Sequence, residues 1–272
     1  MGTELMDRGL KMPLPLWSAE TNITDPEIVK SVHLDYVKAG ADIIGTNTFR
    51  TTTWTYRKVG YSQKKSQEKA RTSLMRAVEL ARDVKPNILC ASITSIEDCY
   101  DTSLFPGRSI AEDTYGENIN WFIEAGVDVI LFETMGHIEE IEIALDTVKD
   151  FNLQVWLSLI MKDQDHILSG NKINDVYTLA KNRVDCLMLN CNTIEKTGQA
   201  LVPMIKDWGS NWGVYPNLGL SEPEPDGEIE EKVQKDVFKD IIKEYLRMNP
   251  MIIGSCCGSS PDHIKIIKKL TS

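Results

Sequence analysis

Thr114 to Ala125, closed by Gly126 and followed by Val127-Asp128-Val129-Ile130-Leu131-Phe132-Glu133, is the stretch on which the fold turns. The first part carries its apolar residues at helical spacing, and a glycine is a natural helix stop. The second part is almost continuously apolar and β-branched, as suits a parallel strand covered on both faces. The same unit recurs along the chain. Apolar runs at residues 42–48, 87–93, 154–160, 186–191, 212–215 and 251–254 alternate with amphipathic stretches at 26–38, 66–84, 138–149, 173–181, 198–207, 228–247 and 261–270. Asp25-Pro26 supplies a cap and a first-turn proline for the first of these stretches, and Gly40 ends it. A short buried helix could mimic any single apolar run, but seven in a row at similar spacing read as strands.

Repeating strand–helix units without a change of composition predict one parallel α/β domain over residues 1–272. The candidates are an open doubly wound sheet and a closed (β/α)8 barrel. No Gly-x-Gly-x-x-Gly opens the first helix after a strand, which removes the main support for a dinucleotide-binding open sheet. A barrel needs eight strands and seven are visible. The first of them already follows a helix (residues 26–38), so the missing one is expected before residue 1. Either the chain begins inside the barrel pattern, or an irregular segment around residues 2–16 fills the gap.

Composition narrows the function. The 272 residues include 30 basic and 40 acidic side chains, for a net charge of −10. Such a chain has no broad phosphate-neutralising face, so nucleic acid is not the expected partner. No segment has the ~18 uncharged apolar residues of a membrane span, and Met1 to Arg8 lacks a signal-peptide layout. Six cysteines are too few for a disulfide scaffold of this length, and the expectation is a cytoplasmic chain with free thiols. The acid run from Glu222 to Glu231 reads as a mobile, solvated loop.

The strongest local signal is Gly254-Ser255-Cys256-Cys257-Gly258-Ser259-Ser260-Pro261. Two adjacent cysteines end an apolar run between glycines, which free the backbone to turn both thiols toward one point. Cys191 ends another run. In a parallel barrel Cys191, Cys256 and Cys257 all emerge at the carboxyl face, where barrel enzymes build their sites. Three thiolates on one rim match a zinc site with a position left open. So thiolate-rich a zinc is a poor Lewis acid toward water and better suited to presenting an exchangeable thiolate, which favours alkyl transfer to sulfur over hydrolysis. Cys90, Cys99 and Cys186 read as core or loop filling. Glu133, also at a strand end, could pair with a substrate ammonium group. The histidines His33, His137, His166 and His263 have no metal-ligand spacing, and no serine-hydrolase elbow or phosphate-binding loop is present.

These residues resemble the homocysteine S-methyltransferases, zinc-dependent (β/α)8 barrels related to betaine-homocysteine methyltransferase and to the homocysteine-binding module of cobalamin-dependent methionine synthase. The matching stretches span nearly the whole chain. They are Leu16-Trp17-Ser18-Ala19, Ala39-Gly40-Ala41-Asp42 with Thr46-Asn47-Thr48-Phe49, Ala125 to Asp128 with Phe132-Glu133-Thr134, Leu189-Asn190-Cys191, Val214-Tyr215-Pro216-Asn217, and Ile253 to Gly258 leading into Ser260 to Ile264. The resemblance implies that Cys191, Cys256 and Cys257 bind zinc, that homocysteine sulfur takes the fourth position, that Glu133 holds the substrate amino group and that Thr46 lines the same pocket. It implies methyl transfer from a small donor to the homocysteine thiolate, giving methionine, with no catalytic residue beyond the zinc-thiolate site.

Two departures from the family pattern stand out. Family members begin with a strand carrying Asp-Gly ahead of Gly-Thr-x-Leu, whereas this chain starts within that pattern at Met1-Gly2-Thr3-Glu4-Leu5. The expectation is a truncated barrel lacking its first strand, which binds homocysteine weakly or folds poorly. The second is Arg50, which stands where the betaine-using branch has an aromatic residue; its charge would repel betaine and leaves Trp17 as the remaining aromatic. S-methylmethionine, another sulfonium, or a methylated corrinoid or folate protein on a separate chain stay open as donors. Two rival readings are a non-catalytic zinc- and homocysteine-binding barrel serving a corrinoid or folate partner, and a redox protein using Cys256 and Cys257.

Overall fold

The computed structural model describes residues 1–221, 223, 227, 229 and 231–272. Its centre is a parallel sheet of seven strands: β1 Ile43–Gly45, β2 Ile88–Ile93, β3 Val129–Met135, β4 Gln154–Leu159, β5 Cys186–Asn190, β6 Trp212–Tyr215 and β7 Ile252–Ile253. They pair strictly in chain order, all parallel. Helices occupy every connection, as the alternating pattern predicts.

Strand side chains alternate between two environments. Leu89, Ala91, Ile130, Phe132, Leu187, Leu189 and Val214 face the surrounding helices and share their core. Cys90, Val129, Leu131, Trp156, Cys186 and Met188 form a second cluster, joined by Ile43, Tyr215 and Ile252. That second cluster draws on all seven strands. In a flat sheet β1 and β7 would stand roughly 29 Å apart, at about 4.8 Å per strand, and could not share neighbours; the sheet is therefore curled, with the second cluster inside the curl.

The two ends of the curl approach each other through helices. The helix Pro261–Thr271 packs on the helix Pro26–Ala39, and Lys268 lies over Gly40, whose φ of 101° and lack of a side chain allow that contact. Among the described residues no strand pairs with the outer edge of β1 or β7. The short helix Gly2–Asp7 lies beside that opening. Leu5 packs with Val29, Val32 and Leu80, Arg8 bonds Ser31 and Asp35, and Thr3 Oγ1 accepts a hydrogen bond from Gly258 N.

Element boundaries depart from the sequence reading in instructive places. Only Ile43–Gly45 and Ile252–Ile253 pair within the predicted runs 42–48 and 251–254. The helix read from residue 114 starts at Arg108, directly after Gly107, and the helix read from 228 starts at Lys235. Two six-residue helices, Gly2–Asp7 and Thr53–Lys58, were not anticipated, being too short to show a periodic face. The acid run of residues 222–231 falls largely outside the described residues. Among those described, no helix is long and apolar enough to cross a membrane.

Candidate metal and substrate site

Cys191, Cys256 and Cys257 meet at the carboxyl ends of the strands. Their ligand atoms all lie within 4.8 Å of one another, the described residues' one cluster able to hold a metal ion. The sulfur of Cys257 is 3.8 Å from that of Cys191 and 3.9 Å from that of Cys256, and the Cys191–Cys256 pair is closer, at 2.6 Å. Tetrahedral zinc with bonds of ~2.3 Å spaces its sulfur ligands roughly 3.8 Å apart, so both Cys257 separations fit and the third pair must open by about 1.2 Å. The charge balance points the same way. Hydrogen bonds from Cys191 and Cys256 pull the Cys257 thiol well below its usual pKa. Hydrogen bonding within the cluster, burial and like charge push Cys191 up. One thiolate forms readily and the others resist; a divalent cation among the sulfurs removes that conflict.

The convergence has a backbone cause. β6 intervenes between the strands that carry Cys191 and the Cys256–Cys257 pair, and its following loop stitches the two together. Asn217 N donates to Asn192 O, Cys256 N to Pro216 O, and Leu218 N to Cys257 O. This explains why Tyr215-Pro216-Asn217 stands between the cysteine motifs in the chain. Cys191 itself adopts φ of 53°, a conformation uncommon for a non-glycine residue. It is braced by Asn192, whose Nδ2 donates to Leu159 O and Asn190 O while its Oδ1 accepts from Met161 N.

Glu133 projects from β3 inside the curl. Ser92 Oγ on β2 donates to Glu133 Oε1, and the Tyr215 hydroxyl on β6 donates to Oε2 at 3.4 Å. Burial, followed by the nearby charge of Cys256, raises its pKa to about 7, opposed by the Ser92 hydrogen bond. A carboxylate so desolvated gains most from a cationic partner. Thr46 is at the same end of the sheet, but its hydroxyl is engaged within the protein: it bonds Thr48 Oγ1 at 2.7 Å and accepts from Ser92 N at 3.2 Å. Thr46 thereby steadies the serine that holds Glu133.

Arg50 is similarly tied down. Its Nη1 donates to Glu97 O at 2.8 Å, and its guanidinium lies 5.6 Å from the Phe49 ring centroid. Trp17 meets that ring edge-on at 5.8 Å. The Phe49 face is thus already supplied with a cation by the chain itself. Tyr100 donates to Cys191 O at 3.5 Å. Cys90 and Cys186 fill the inner core, and Cys99 is buried in the loop after β2. His33 is buried, its pKa lowered by burial to about 3, and His263 Nδ1 accepts from Ser260 N at the start of its helix.

Ser92, Tyr215, Asn190 and Tyr100 were given no role by the sequence reading. For the first three a signal existed, because each is a polar side chain near the end of an apolar strand, on the inward parity shared with Cys90, Gly213 and Met188.

Comparison with known proteins adds four findings. The family profile described as homocysteine S-methyltransferase matches residues 1–271. Homocysteine S-methyltransferase 2 of Zea mays is 27% identical over 307 residues, covering 99% of this chain and 87% of the relative. Selenocysteine Se-methyltransferase of Brassica oleracea var. italica is also 27% identical, covering 99% of this chain and 86% of its own length. Among solved structures, the metallated form of the homocysteine methyltransferase MmuM from Escherichia coli has the same fold, with a TM-score of 0.84 at 22% identity, covering 99% of this chain and 93% of that one.

Proposed function

Because the chain belongs to the homocysteine S-methyltransferase family, we propose that it transfers a methyl group to the thiol of homocysteine, giving methionine. The new sulfur–carbon bond forms as the donor's bond to its methyl breaks, and the electron pair of that bond leaves with the donor. The observation that carries this reading is the gathering of the Cys191, Cys256 and Cys257 sulfurs within 4.8 Å at the strand ends, on the same rim as the carboxyl of Glu133.

Cys191, Cys256 and Cys257 would hold zinc, which when bound lowers the pKa of an incoming thiol and keeps it a thiolate near neutral pH. Glu133 accepts the substrate ammonium group. Ser92 and Tyr215 orient its two oxygens and leave lone pairs free for that contact. Thr46 acts through Ser92. The three loops that follow β5, β6 and β7 hold the cysteines by main-chain hydrogen bonds, so the sulfurs are gathered before any ligand arrives and only the Cys191–Cys256 pair has to open.

We read the curled sheet as a single homocysteine-binding (β/α)8 barrel over residues 1–272, in which the helix Gly2–Asp7 stands near the place of a first strand. The anchoring of Thr3 to Gly258 beside the cysteine pair supports this. The six unpaired thiols suit a reducing cytoplasm. Arg50, held over Phe49, disfavours betaine; a sulfonium such as S-methylmethionine, or a methylated corrinoid or folate carried by another protein, remains compatible with the site.

Metal analysis of the purified chain, followed by methionine formation from homocysteine with S-methylmethionine, betaine and methylcobalamin in separate assays, tests the reading. One zinc per chain and turnover with a non-betaine donor are expected. A metal-free chain that cannot be loaded, or loaded chain that yields no methionine from any donor, would overturn it.

A further inference from the structure

β3 and β4 run in register as far as Phe132↔Leu157 and resume at Met135↔Leu159, so three steps along β3 match two along β4. The extra residue is a bulge at Glu133-Thr134, a device that re-aims a side chain at the end of a strand. Thr134 within it has φ of 58° and is fully buried. A β-branched residue in that conformation needs outside support.

The support comes from Asn190, two strands away and fully buried. Thr134 N donates to Asn190 Oδ1 at 2.9 Å, and Asn190 Nδ2 donates to Thr134 Oγ1 at 2.8 Å. Asn190 is also the residue before Cys191, whose left-handed turn is pinned from its other side by Asn192. One amide therefore links the bulge that presents Glu133 to the turn that presents the Cys191 sulfur, across β4.

We propose that Asn190 is a positioning residue that sets the separation between the ammonium-binding carboxylate and the sulfur seat, and thereby selects homocysteine over amino thiols of other lengths. The inference rests on the assignment of Glu133 to the substrate amino group made above. It adds that the Glu133-to-sulfur span is imposed by the paired hydrogen bonds to Thr134. A thiol amino acid one methylene shorter fits a fixed span less well, a mismatch for which discrimination of about 10- to 200-fold is ordinary.

The test is thiol binding to the zinc-loaded chain by calorimetry, repeated on the cobalt-substituted chain by thiolate-to-metal absorption. Homocysteine, cysteine and 4-mercaptobutyrate, which is homocysteine without its amino group, are compared in wild type, Asn190→Ala, Thr134→Val and Thr134→Ser. Wild type should bind homocysteine at least about tenfold more tightly than either other thiol. Asn190→Ala and Thr134→Val should lose most of that preference, with 4-mercaptobutyrate affinity and metal stoichiometry held within about twofold, and Thr134→Ser should keep it. Preference retained in both disrupting variants overturns the role of Asn190. So does an equal loss for all three thiols with loss of metal, since that marks damage to the sulfur seat. A wild type indifferent to the amino group instead overturns the Glu133 assignment on which the inference stands.

Discussion

The sulfur of Cys257 lies 3.8 Å from that of Cys191, 66 residues earlier in the chain. That spacing is close to the roughly 3.8 Å between sulfur ligands of tetrahedral zinc. Removing one of three ligands leaves two thiolates and a weak site, whereas Cys257 is only partly buried and its truncation opens no deep cavity. Cys257→Ala should lose its metal on dialysis and lose methyl transfer, with the far-UV circular dichroism of the metal-free chain unchanged. Full metal content in the variant would contradict the ligand assignment.

Glu133 makes a pH-dependent contribution whose sign follows from its raised pKa. In the unfolded chain a glutamate ionises near 4.5, in the fold at about 7. The native state therefore resists losing the proton, and stability falls as pH rises from about 4.5 to 7, by on the order of 3 kcal/mol. Glu133→Gln keeps one acceptor oxygen for Ser92, turns the other position into an amide donor toward the Tyr215 hydroxyl oxygen, and removes the charge. The metal-free variant should melt higher than wild type near pH 8 and equally near pH 4.5. A variant less stable than wild type near pH 8 would contradict the desolvated carboxylate.

Gly213 on β6 marks a close approach inside the curl. A Cβ there would come within 2.9 Å of the Ile252 side chain, of Ile252 O and of Met188 Cγ. Because one of those atoms is backbone in a paired strand, the neighbours cannot simply swing away. Gly213→Ala should destabilise the chain by about 1–3 kcal/mol, read as a lower denaturation midpoint at unchanged slope. Wild-type stability would mean that β6 and β7 can shift apart.

Arg50 occupies the Phe49 face with the chain's own cation. Arg50→Ala should free that ring and improve binding of tetramethylammonium, a probe without other recognition features, by about 3- to 30-fold, the range of a single cation–π contact. Titration calorimetry on both proteins reads the change directly. Equal affinities would show that the ring is closed to ligands for another reason.

Much of this was legible before folding was considered. Seven apolar runs alternating with helical stretches define a parallel α/β sheet, because only buried parallel strands combine that hydrophobicity with that spacing. Parallel strands all end on one rim. Residues that close their runs, Cys191 and Glu133 among them, are for that reason brought to the same side whatever the tertiary detail. Glycines around Cys256 and Cys257 marked a turn free enough to bring two adjacent thiols together.

The partners of those residues were not legible. Ser92, Glu133 and Tyr215 come from β2, β3 and β6 and touch only because the sheet curls. Asn190 reaches Thr134 only because β3 bulges by one residue. Strand order and strand ends follow from local periodicity, which the sequence alone determined. Distances across the rim depend on curl, bulge and the main-chain stitching of three loops, which are cooperative properties of packed strands and exist only once the whole sheet has curled around its inner core.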